Sequence, residues 1–179
     1  MILSFEQQQA ILPISPNNQK KFPSIARDVD EGELVDMLGQ KFKQTVDDHV
    51  NDEDGKFFEL LNGGVLIDGT KFKGLKFIVA YLNYINYLDN SDVQDTFSGQ
   101  RTQKIEQSDP LSKGRIENLK EPKKKVVFNQ WDLLKRFINE NELIFIDFNT
   151  SSTKRVYNPK ATIIRNKRVI NQGYKSNNW

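Results

Sequence analysis

Leu60–Leu88 reads LLNGGVLIDGTKFKGLKFIVAYLNYINYL, and three changes of pattern within it decide the architecture. Asn62-Gly63-Gly64 closes the helix that Leu60 and Leu61 end, because glycine enters the left-handed region at a helix stop without steric penalty. Asp68-Gly69 then separates two β-prone runs, Val65-Leu66-Ile67 and Thr70-Lys71-Phe72, as in a hairpin with a two-residue turn. From Leu75 to Leu88, Phe77, Ile78, Val79, Ala80, Tyr81, Leu82, Tyr84, Ile85 and Tyr87 cover almost every face of a helix. A helix apolar all round belongs at the centre of a core or of a subunit contact.

Working outward, Gly55–Leu61 forms the helix that this stop closes. Before it, Ile25, Val29, Leu34, Leu38, Phe42 and Val46 recur at helical spacing from Ser24 onward. Asp28, Asp30, Glu31 and Glu33 sit early in that run, where the macrodipole favours acids, while Gly32 and Gly39 mark a bend or a close helix contact. Ser4 and Gln7 have capping-box spacing and predict a helix over Phe5–Leu12, ended by Pro13; Ser15-Pro16-Asn17-Asn18 and Pro23 make a connector. Downstream, residues 89–111 are polar and read as a loop or extended excursion. A long helix follows over Ser112–Asn139, with a kink or a junction of two helices at Pro122, and Leu143–Phe148 reads as a short strand-like run. The expected fold is mainly α: a small helical bundle with one short β-hairpin and a long extended C-terminal arm. Its parts are an N-terminal helix and connector (1–22), a helical core (23–148) and the arm (149–179).

Charge singles out that arm. The net charge is +2, yet residues 1–60 carry −6, residues 61–110 −1, residues 111–148 +2, and residues 149–179 +7 with no acid at all. Such asymmetry marks a segment that reaches for something acidic. Fully extended, it spans roughly 100 Å. In strand form Arg165 and Lys167 share one face, with Ile164 and Arg168 on the other, which suits a strand added to a neighbour. Tyr157, Tyr174 and Trp179 supply the large aromatics that anchor interfaces. Lys154, Arg155, Tyr157, Arg165, Lys167, Arg168, Tyr174 and Trp179 are therefore the candidate partner-binding residues; the plainer reading is a disordered basic tail.

Chemistry finds little purchase elsewhere. There is no cysteine, which excludes disulfides and thiolate catalysis, and the single His49 excludes a pair of histidine ligands within one chain. Asn51–Gly55 resembles a calcium loop only faintly, since Val50 and Leu61 occupy positions that need side-chain oxygens. The carboxylates Asp28, Asp30, Glu31, Glu33 and Asp36 lie along one helix, more an exposed face than a convergent metal site. No glycine-rich phosphate loop is present. Lys120 and Lys123–Lys125 could neutralise nucleic-acid phosphates, or simply solvate a helix face. The N-terminus lacks the basic start and apolar run of a signal peptide, and no stretch approaches the about 20 apolar residues of a membrane span. These readings predict no enzyme, no cofactor, no metal, no membrane and a cytoplasm-like compartment.

The order of motifs also resembles a known group. LLNGG (Leu60–Gly64), the hairpin and GLKFIVAYLNYINYL (Gly74–Leu88) are followed by DTFSGQRTQKIEQSDP (Asp95–Pro110), a long helix and FINENELIF (Phe137–Phe145); MLGQKF (Met37–Phe42) resembles the group's first core helix. The pattern is similar to the head-to-tail adaptor, or head-completion, proteins of tailed bacteriophages of Bacteroidetes, including the ring proteins of crAss-like phages. That resemblance covers roughly residues 25–145. It implies a structural virion protein at the portal vertex, made in the host cytoplasm and assembled as a homo-oligomeric ring, commonly of twelve copies. Such a ring extends the channel for genomic DNA between portal protein and the next ring or tail protein. A terminal segment often grips the portal or a neighbouring subunit, a role that here falls to residues 149–179. The rival expectation is a nucleic-acid-binding protein using the basic arm and Lys123–Lys125.

Overall fold

The computed structural model describes residues 2–15, 19–90, 93–96, 99–102 and 113–151. Ser4 caps α1 (Phe5–Ile11) through the predicted reciprocal box: its hydroxyl accepts the Gln7 N–H at 3.3 Å, and the Gln7 amide oxygen accepts the Ser4 N–H at 2.9 Å. Gln8, fully buried, docks this helix. Its Nε2 donates to the carbonyls of Leu12 (2.8 Å) and Ala80 (3.1 Å), and its Oε1 accepts from buried Asn83 (3.2 Å). With Ile2 and Leu3 in the main core, the N-terminal segment is packed into the bundle.

α2 (Phe22–Asp28) runs through a π-helical turn (Val29–Glu33) into α3 (Leu34–Leu38). Residue spacing explains the wide turn. Phe22, Ile25, Ala26 and Val29 keep a three-four rhythm, a step of five leads to Leu34, and Met37 and Leu38 resume it. A uniform α-helix would carry Leu34 off the stripe; the π turn absorbs one residue and returns it to the core. Gly39, at φ 78°, ends α3 and opens α4 (Gln40–Asp48), so the expected bend is a full break.

α5 (Gly55–Asn62) stops on Gly63 at φ 100°. β1 (Gly64–Val65) and β2 (Lys71–Phe72) then pair antiparallel, Gly64 opposite Phe72. Their loop is longer than the two residues that Asp68-Gly69 suggests. Leu66 N–H bonds to the Thr70 carbonyl and Gly69 N–H to the Leu66 carbonyl, both at 2.9 Å, so Ile67–Gly69 form a three-residue loop with Gly69 left-handed. α6 (Gly74–Asn90) follows and forms the centre of the core through Leu75, Ile78, Val79, Leu82 and Ile85.

α7 (Lys113–Glu140) lies antiparallel to α6: Lys120 pairs with Asp89 near the end of α6, and Gln130 accepts the Lys73 N–H just before its start. It remains one helix through Pro122 rather than two meeting there. Pro122 is exposed, so the ring and the backbone bond it removes face water. Between α6 and α7, β3 (Val93–Thr96) pairs antiparallel with β4 (Gly99–Thr102), a second ribbon within the stretch expected as loop or extended chain.

A further expectation is overturned. Leu143–Phe148 is not a strand; a turn leads into α8 (Ile146–Ser151). The buried residues of the run, Phe145 and Phe148, are three apart, while Leu143, Ile144 and Ile146 face outward, which is helical rather than alternating geometry. Both rings pack edge-on against Phe42, at 5.9 and 5.2 Å, tying the C-terminal end of the bundle to α4. The protein is thus a small, mainly helical bundle with a short hairpin.

Candidate interaction surfaces

All eight residues assigned to partner binding, Lys154, Arg155, Tyr157, Arg165, Lys167, Arg168, Tyr174 and Trp179, lie outside the described residues. The other sequence candidates fall on two faces of the bundle.

The first face lies where the π turn, α6 and the start of α7 meet. Lys120 is 3% exposed, with Nζ 2.6 Å from Asp89 and 3.5 Å from Glu117. Lys124 bonds Glu117 at 2.5 Å and Glu121 at 3.1 Å; burial works to lower its pKa, the two carboxylates together outweigh it and raise it, and the Lys124 bond lowers that of Glu117. Lys123 lies over the rings of Tyr81 (5.7 Å) and Tyr84 (5.9 Å). The basic cluster read as a nucleic-acid contact is therefore largely engaged within the fold, with Lys125 its exposed member. Helix spacing explains this: Lys120 and Lys124 share a face with Glu117 and Glu121.

The carboxylate row splits in the same way. Asp28 and Glu31 face water, but Asp30 reaches the buried Lys43 at 3.2 Å, and Asp47 meets the same ammonium at 2.6 Å. Glu33 is partly buried beside Asn86. Burial pushes its carboxyl up to about 7; the Asn86 hydrogen bond opposes this, Asp89 and Asp36 add to it, and Lys120 opposes it. The π turn is what rotates Glu33 inward, and no composition signal announces that. Among the described residues, no group of His, Asp and Glu is placed to hold a metal ion, and no helix is long and apolar enough to cross a membrane.

The second face is apolar and was missed in the sequence. Arg136 of α7 bonds Asp68 at the hairpin tip (2.5 Å), and Glu140 accepts the Ile67 N–H (3.1 Å). These contacts hold the tip at the C-terminal end of α7. Ile67 is 86% exposed there. The chain turns directly beyond Glu140, with Ile144 N–H bonded to the Asn141 carbonyl, leaving Leu143 89%, Ile144 50% and Ile146 60% exposed. Beneath them Phe145 packs against Phe57 (5.1 Å), which stacks on His49 (4.0 Å), and His49 bonds Asp52 (2.8 Å). Phe57 and His49 thus link the exposed acidic loop Asp52-Glu53-Asp54 to the turn, and exposed Glu140 and Glu142 flank the turn in sequence. The only sequence signal for this face was that Leu143-Ile144 follows the polar run Asn139–Glu142, an odd place for a buried strand.

Comparison with known proteins comes down to one finding. The DUF6712 family, described as a family of unknown function, matches residues 34–158, well over half of the chain. No curated protein and no solved structure matches it.

Proposed function

The chain belongs to the DUF6712 family, and we propose that it is a non-catalytic assembly protein, a subunit of an adaptor ring between portal and tail in a tailed bacteriophage. The observation that carries this reading is the solvent-exposed aliphatic group Ile67, Leu143, Ile144 and Ile146 at one end of the bundle. Large aliphatic side chains left in water at one end of a bundle suit a face that meets another protein. Two features accompany it: the resemblance of the motif order to that of adaptor proteins, and a C-terminal segment with seven basic residues and no acid. In this reading the bundle lines the ring that extends the channel for genomic DNA, and the arm grips the portal or an adjacent subunit.

The test is the mass of the full-length protein in solution, alone and with portal protein. Subunits that close into a ring only when portal is added are the expected result. A protein that ignores portal but binds DNA with an affinity falling steeply with salt would instead establish the nucleic-acid reading. The internal pairing of Lys120 and Lys124 leaves that rival resting mainly on the arm and Lys125.

A further inference from the structure

We infer that the apolar turn at Leu143–Ile146, with its acidic border, is the docking site for the C-terminal segment of a second copy of this chain. The inference rests on the adaptor reading and names the partner of the arm.

Charge and hydrophobicity match on both sides. The turn exposes Leu143, Ile144 and Ile146; Glu142 precedes it directly, and the acidic loop Asp52-Glu53-Asp54 joins it through His49, Phe57 and Phe145. Residues 149–179 bring seven Lys/Arg without an acid, interleaved with the aliphatic pairs Ile163-Ile164 and Val169-Ile170. Few segments of the chain combine both properties; the acid-free composition removes repulsion from the border, and the aliphatic pairs suit the turn. The nearby Lys41, Lys56 and Arg136 pair with Asp147, Glu59 and Asp68 rather than with the border.

Position supplies the rest. α8 ends at Ser151, within a few residues of the turn, so the 28 residues that follow start beside one copy of the site. At about 3.3 Å per residue they reach roughly 90 Å, ample to cross to the same site on a neighbour. An arm meeting a different surface is a heterologous contact. Repeated about an axis whose rotation closes, it gives a ring, whereas a self-complementary patch would stop at a dimer.

The experiment uses full-length protein with a photo-crosslinking amino acid in place of Ile164, prepared unlabelled and nitrogen-15-labelled and mixed in equal amounts, with and without portal protein. Heavy–light cross-links to the peptide containing Leu143–Ile146 are expected. Their yield should drop at least tenfold in the Leu143→Ser/Ile144→Ser variant, whose replaced side chains are exposed and leave the core intact. Cross-links confined to single chains, mapping elsewhere, absent, or indifferent to the double variant would overturn the site. Ring closure on portal with cross-links elsewhere removes the docking site and keeps the adaptor reading. Heavy–light links at the turn that ignore portal keep the site and remove the adaptor.

Discussion

At Gly74 the backbone turns with φ at 78°, and a β-carbon would stand 2.6 Å from the Leu61 carbonyl oxygen. At Gly63 it would meet the Phe72 carbonyl oxygen at the same distance. Backbone packs on backbone here, so Gly74→Ala should cost more than about 2 kcal/mol, from left-handed strain plus the clash; urea unfolding of the variant checks it. Glu33 presents the opposite case, a residue whose role could not be read from its neighbours. Its folded pKa of about 7 lies above the ordinary 4.5, so the native state holds a proton that the unfolded chain has released. The group's stabilising contribution is full below about pH 4.5 and is lost as pH rises through 7. Glu33→Gln should therefore be more stable than the parent at pH 8 by about 3 kcal/mol, with little difference at pH 4. Urea midpoints at the two pH values decide, and an equal shift at both would show that Glu33 does not hold that proton.

Among the elements, those with local signals were legible. The capping box at Ser4, the glycine stop at Gly63 and the dense apolar run of α6 each depend on contacts a few residues apart, so sequence specifies them. The misread elements are those decided by packing. Leu143–Phe148 is a short apolar run, for which strand and helix patterns coincide until the position of Phe42 shows which two rings are buried. The π turn was written in the five-residue step from Val29 to Leu34, but a wide turn becomes favourable only when a core waits for both residues. Pro122 sits within α7, exposed and against helix propensity. Pro122→Ala should stabilise the protein by about 1–2 kcal/mol, the restored backbone bond being partly offset by a freer unfolded chain. Chemical denaturation measures this, and unchanged or lower stability would mean that the proline relieves strain elsewhere along α7.

For the whole molecule, the division between bundle and arm predicts separable losses. A chain ending at Ser151 keeps Phe145 and Phe148 in the core, so it should stay folded and soluble with an unchanged unfolding midpoint, yet fail to enter particles. Particle incorporation of that truncated chain at normal levels would refute the arm's docking role. Replacing Trp179 alone should weaken incorporation less than removing the arm, since contacts spread along many residues survive the loss of one anchor. Of the candidate site, the sequence showed the charge-polarised segment, because net charge is a sum that needs no structure. It also determined the mainly helical class, the hairpin and the central helix, whose periodicities are local. Only the tertiary structure decided that Lys120 and Lys124 are spent on Asp89, Glu117 and Glu121, that Glu33 turns inward, and that Ile67 and Leu143–Ile146 gather at one exposed end. Those outcomes depend on which helix faces meet, and residues as far apart as Ile67 and Glu140 come together only when the chain closes on its core.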